Sequence, residues 1–160
     1  MGVTSCLLRR VTEMFEERSA GAVLFNDDGD RIRYLVLNYP AGHWDFPKGN
    51  VEKGEEQVAT VRREIEEETG IKNVEILPGF NRKIEYYYQR SGELVRKEVR
   101  YMLARSATRD VTLSAEHQNY AWLELEKAID RVTYRNSKTT LRDAARFLNE
   151  GPIHRDEFAP

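Results

Sequence analysis

Apolar and polar positions change rhythm several times along the chain, and each change predicts an element. Ala20-Gly21-Ala22-Val23-Leu24-Phe25 is a short apolar run, and Arg31-Ile32-Arg33-Tyr34-Leu35-Val36-Leu37 is a second. Between them Asn26-Asp27-Asp28-Gly29-Asp30 is dense in turn formers, so the pair predicts a β-hairpin. Pro40, Gly42 and Pro47 make the next segment a loop. Glu55 to Thr69 then runs without Gly or Pro, with Val58, Val61 and Ile65 at helical spacing. Gly70 stands where a C-cap glycine would end that helix.

Beyond the helix, Val74 to Phe80 reads as a strand. Lys83 to Gln89 and Leu94 to Ala104 flank Arg90-Ser91-Gly92-Glu93 and predict a second hairpin. Gln118 to Leu125 reads as a last strand, and a helical stretch begins at Leu125. Ser137 is the expected N-cap of a helix over Thr139 to Leu148, ended by Gly151 and Pro152. Strands broken by one central helix and closed by C-terminal helices predict an α/β fold, a mixed sheet with helices on both faces. Residues 1–17 read as an N-terminal extension, 18–149 as one domain and 150–160 as a mobile tail.

Composition narrows the class. At 160 residues, 40% hydrophobic and 32% charged, the chain suits one globular domain rather than a disordered segment. A formal charge of −2 leaves no basic footprint for a nucleic-acid partner. Cys6 is the single cysteine, which rules out an internal disulfide and fits a reducing compartment. No apolar run approaches the ~20 residues that span a bilayer. Met1-Gly2 opens like a myristoylation signal, but Cys6 stands where Ser or Thr is wanted, and no signal-peptide core follows. The expected setting is cytoplasmic.

The chemistry gathers on the central helix. Glu64, Glu67 and Glu68 fall at i, i+3 and i+4, so three carboxylates share one strip of its surface. Like charges so spaced repel, and near a helix C-terminus the macrodipole disfavours them further. Such a strip is either fully solvated or neutralised by a cation, and oxygen ligands of this kind suit Mg²⁺ or Mn²⁺. Arg63 and Glu67 are i, i+4 neighbours, which makes Arg63 an orienter of carboxylates. Glu55 is a candidate for the same duty at the helix start.

Other candidates stand outside the helix. Lys48, in His43-Trp44-Asp45-Phe46-Pro47-Lys48-Gly49, is placed to offer a point charge to a phosphate oxygen. In Tyr86-Tyr87-Tyr88 the alternation of a strand puts Tyr86 and Tyr88 on one face, where a nucleobase could stack. Lys97 and Arg100 on the facing strand are candidate phosphate contacts, and otherwise ordinary solvated charges. Glu116 and His117 open the last strand, and Glu116 alone would read as solvated.

The stretch from Gly49 to Ile71 resembles the Nudix box, G-x5-E-x7-R-E-U-x-E-E-x-G-U with U aliphatic, at every specified position. That resemblance implies an α/β/α sandwich carrying a loop-helix-loop motif, and a divalent-metal hydrolase of nucleoside diphosphates linked to another group. GHWDFPKGNVEKGE, the tyrosine-bearing hairpin and LSAEHQNYAWL further resemble the diadenosine tetraphosphate hydrolases of animal, archaeal and related bacterial type. The resemblance covers about residues 18–148 and implies cleavage of diadenosine tetraphosphate to ATP and AMP. It implies adenine stacking by Tyr86 and Tyr120, and phosphate contacts from His43, Lys48 and Lys97. It also implies metal ligation by the Gly49 carbonyl, Glu64, Glu67, Glu68 and Glu116, with Glu67 or Glu116 as general base. Diphosphoinositols, RNA 5′ ends and nucleotide sugars are the rival substrates. A non-catalytic Nudix binding module is the rival class, and it would be expected to carry a degraded box.

Overall fold

The computed structural model describes residues 14–150; the expectations for Cys6, for most of the N-terminal extension and for residues 151–160 lie outside them. Strand β1 (Phe15–Asp27) begins earlier than the apolar run suggested, inside the stretch read as an extension. It forms the predicted hairpin with β2 (Ile32–Asn38). Two short strands, β3 (Trp44–Asp45) and β4 (Lys48–Asn50), lie in the segment expected to be only loop. They are followed by helix α1 (Gln57–Thr69). Then come β5 (Glu75–Arg90), β6 (Glu93–Arg105) and β7 (Asn119–Leu123), and last the helices α2 (Leu125–Arg131) and α3 (Arg135–Glu150).

The sheet runs β3-β2-β1-β6-β5, with β4 added to β1 and β7 to β2. Pairing of β1 with β6 is parallel and the rest is antiparallel, which makes the sheet mixed as expected. Strand β1 is buried from Ser19 to Phe25, as a central strand covered on both faces should be. Its alternation splits the core. Ala20, Ala22 and Leu24 join Val61 and Ile65 of α1 on one side, while Val23 and Phe25 join Ala128, Leu141 and Ala144 on the other. Those two layers of helix complete the α/β/α sandwich.

Two expectations change. Val74–Phe80 and Lys83–Gln89 are one long strand, not two, with a register break between Leu77 and Asn81. Pro78 lacks an N–H for the ladder and Gly79 takes φ 91°, so the irregularity stays local and the strand continues past it. Ser137 is not a cap, because α3 already starts at Arg135; its hydroxyl instead donates to Asp45 Oδ1 at 2.8 Å. The β5–β6 turn behaves as predicted. Ser91 and Gly92 both have positive φ, 52° and 77°, the tight turn that matches strand twist. Among the described residues no helix is long and apolar enough to cross a membrane.

Candidate active site

Helix α1 ends on Gly70 at φ 71°, whose N–H donates to Glu66 O at 2.8 Å. That stop leaves the acidic strip on the last two turns. Gly49 of β4 lies directly beneath it: a Cβ added there would stand 2.0 Å from the Glu64 carboxyl carbon. Only glycine lets that carboxylate lie against the backbone.

Arg63 organises the strip. Its Nε and Nη2 donate to the two oxygens of Glu55 at 2.9 and 3.0 Å, and Nη2 also donates to Asn50 O at 3.0 Å. Nη1 reaches Glu64 Oε1 at 2.8 Å and Glu67 Oε2 at 3.1 Å. The guanidinium holds Glu55 well below the carboxylate range, at about 2, helped by the Thr60 hydroxyl. Glu64 and Glu68 go the other way. Burial raises both, and repulsion among Glu64, Glu67, Glu68 and Glu116 adds to it. Glu68 is pushed up to about 8, although the Lys48 backbone N–H donates to its Oε2 at 3.1 Å.

Glu116 joins this group from a distant part of the chain. Ser114 N–H donates to Glu68 O at 3.1 Å and Thr112 N–H to Thr69 O at 2.9 Å, so the loop is pinned across the end of α1. Glu116 is exposed in the turn that follows, close enough for its charge to raise Glu64 and Glu68.

These residues fit a divalent cation by charge balance. Four carboxylates meet with Arg63, which also serves Glu55, and with Lys48, whose Nζ lies 2.5 Å from Asp45 Oδ2. Among the described residues no three acidic, His or Cys side chains form a closed ligand set; Glu64 and Glu67 each accept from Arg63. The excess charge predicts a pH effect. A carboxyl raised from ~4.3 to about 8 stabilises the fold below the lower value relative to above, and that advantage is lost as pH rises through the window. In chelator, Glu68→Gln should therefore become more stable than the parent as pH rises from 5 to 9, by a few kcal/mol at the top. A constant gap in thermal midpoint across that range would contradict it.

On the opposite side of Lys48 a cleft of about 450 Å³ opens onto the α3 face of the sheet. Ile84, Val99 and Tyr101 line it with Tyr86 and Tyr134; His43, Asp45 and Lys48 also line it, and α3 contributes Asn136 and Ser137. The segment Tyr39–His43 folds back on itself, with Tyr39 N–H donating to His43 O at 2.8 Å and Gly42 at φ 99°. That turn stacks the His43 ring on Tyr39 at 4.8 Å. Partial burial, with Lys48 nearby, pushes the His43 imidazole below its ordinary range.

The candidate residues do not all converge. Tyr120 pairs with Leu37 on the α1 face, whereas Tyr86 pairs with Lys97 on the α3 face, so the sheet separates the two tyrosines. Lys97 shares the Tyr86 face but donates to Glu17 and Asn50 at 3.2 and 3.1 Å. Arg100 projects from the other face, paired with Glu98 at 2.8 Å. Tyr134 is an aromatic lining residue missed by the sequence reading, and it is half exposed. It sits in the α2–α3 junction, where periodicity carries no signal.

A NUDIX domain matches residues 16–143, and the chain belongs to the Nudix hydrolase family. The asymmetrical bis(5'-nucleosyl)-tetraphosphatase of Mus musculus is 35% identical over 147 residues, covering 84% of this chain and 97% of that protein. The enzyme of the same name from Caenorhabditis elegans is 35% identical over 134 residues, covering 82% and 96%. The crystal structure of a C. elegans Ap4A hydrolase binary complex matches with a TM-score of 0.74 at 34% identity, covering 84% of this chain and 98% of that one.

Proposed function

We propose that this protein hydrolyses dinucleoside polyphosphates, with diadenosine tetraphosphate cleaved to ATP and AMP. One observation carries the reading: Lys48 belongs to both halves of the site. Its side chain lines the aromatic cleft while its backbone N–H holds Glu68. A ligand with a base in the cleft therefore has its phosphates at the carboxylates. The tetraphosphatase relatives support the same substrate class.

In this reading Glu64, Glu67, Glu68 and Glu116, with the Gly49 carbonyl, hold Mg²⁺ or Mn²⁺. A metal held there would supply positive charge to the phosphate chain and would acidify the attacking water. Glu67 or Glu116 accepts the proton as water attacks phosphorus. Arg63, fixed by Glu55, orients Glu64 and Glu67. His43, Lys48 and Lys97 take phosphate oxygens, the two lysines exchanging their present carboxylate partners for substrate. A cytoplasmic setting belongs to the same proposal. Among the described residues Lys48 is the only lysine or arginine lining the cleft, too sparse a charge for a diphosphoinositol pocket.

Tyr86 and Tyr134 flank the base in place of the expected pair Tyr86 and Tyr120. Tyr86→Ala and Tyr134→Ala should each raise KM at near-constant kcat, by about 1–3 kcal/mol in kcat/KM, with Tyr120→Ala milder. Equal effects at all three positions would remove the cleft from base binding. The function itself is tested by comparing kcat/KM across dinucleoside polyphosphates, nucleotide sugars and diphosphoinositols. Preference for either of the last two classes would overturn it.

A further inference from the structure

The turn that presents Glu116 outward also carries a buried imidazole with no assigned task. The His117 side chain is 1% exposed, and Tyr39 packs edge-on against it at 4.6 Å. Its Nδ1 lies 2.9 Å from Ser114 Oγ. Its Nε2 is fully buried and has no hydrogen-bond partner among the described residues. Buried polar atoms are rarely left alone, so an orphan nitrogen asks for an explanation.

The nearest acceptor supplies one. Nε2 stands 3.8 Å from Glu68 Oε1, too far for a hydrogen bond and too near to be unrelated. The other Glu68 oxygen already accepts the Lys48 N–H, which leaves Oε1 as the atom facing the ring. A swing of the carboxylate by roughly 1 Å would close the gap.

We propose that His117 is a positioning residue for Glu68, donating from Nε2 to Oε1 when a divalent cation occupies the carboxylates. The proposal requires one tautomer: with the Ser114 hydroxyl, 2.9 Å from Nδ1, as the donor to that nitrogen, the ring proton resides on Nε2. Carboxylates that bind metals are themselves held by hydrogen bonds, and loss of such a partner lowers metal affinity about 10–100-fold. One tight turn thus serves the site twice. Glu116 faces the cation from outside, and His117 braces Glu68 from behind. The inference rests on the reading of Glu68 as a cation ligand.

The test is Mn²⁺ binding to the full chain without substrate, read from the electron paramagnetic resonance of the free ion. His117→Phe keeps the edge contact with Tyr39 but has no donor, and it should weaken Mn²⁺ by about 10–100-fold. His117→Gln, whose amide N–H can reach Oε1, should recover much of that loss. Ser114→Ala leaves the ring in place and should weaken binding in the same direction by a smaller factor; it decides the matter if His117→Phe does not fold. Glu68→Gln is the control. If Glu68→Gln loses affinity while His117→Phe and Ser114→Ala bind as the parent does, the role of His117 is overturned and Glu68 remains a ligand. If Glu68→Gln binds as tightly as the parent, the ligand reading falls and the brace with it.

Discussion

Glu116→Gln and Glu67→Gln, made separately, should each lower kcat by about 10²–10⁴-fold if the residue accepts the proton of the attacking water. Both are exposed carboxylates beside the buried pair Glu64 and Glu68, reached from different parts of the chain. Neither change opens a core cavity, so thermal midpoints should move little. The pH profile separates the two. A base must be deprotonated to act, so kcat rises with pH on the acidic limb that its ionisation sets. The variant that loses this limb identifies the base. A slow variant that keeps it has lost a ligand or an orienting group instead, and a variant as fast as the parent stands outside the site.

Lys48→Met should act on stability as well as on catalysis. The Asp45 side chain is 4% exposed, and Lys48 Nζ is the cation beside it at 2.5 Å. Removing one partner of a buried ion pair costs about 3–5 kcal/mol, because the other charge is left without compensation. Asp45 keeps the Ser137 hydroxyl and the Phe46 N–H, so the lower end of that range applies. The expected fall in thermal midpoint is roughly 6–12 °C for a chain of this size. Adding Asp45→Asn removes the stranded charge and should restore most of the midpoint, while kcat/KM stays low for want of a phosphate contact. Recovery of both quantities in the double variant would mean that Lys48 serves only to neutralise Asp45.

Local pattern explains much of this molecule. The hairpins, α1, its glycine stop and the carboxylate strip were legible because each depends on residues close in sequence. Glu116 was legible only through resemblance, since nothing near it announces that its loop is pinned to Glu68 and Thr69. Tyr134 was not legible at all. It reaches the cleft because Thr133 N–H donates to Trp44 O at 3.0 Å and Trp44 N–H to Thr133 Oγ1 at 2.9 Å, a clasp between distant segments. Tyr120 was placed by motif position, but strand pairing decides the face, and its partner Leu37 points to α1. Ser137 had the chemistry of a cap, yet the buried Asp45 claims its hydroxyl inside the first turn of α3.

The central claim is asymmetrical hydrolysis of a dinucleoside tetraphosphate at the junction that Lys48 forms between cleft and carboxylates. The direct measurement is product analysis after incubation with diadenosine tetraphosphate and Mg²⁺ in ¹⁸O-labelled water. ATP and AMP in equal amounts, with the label on one of the two, is the predicted result. Two ADP molecules would place the cut at the centre of the chain, and unreacted substrate would remove the activity; either contradicts the account.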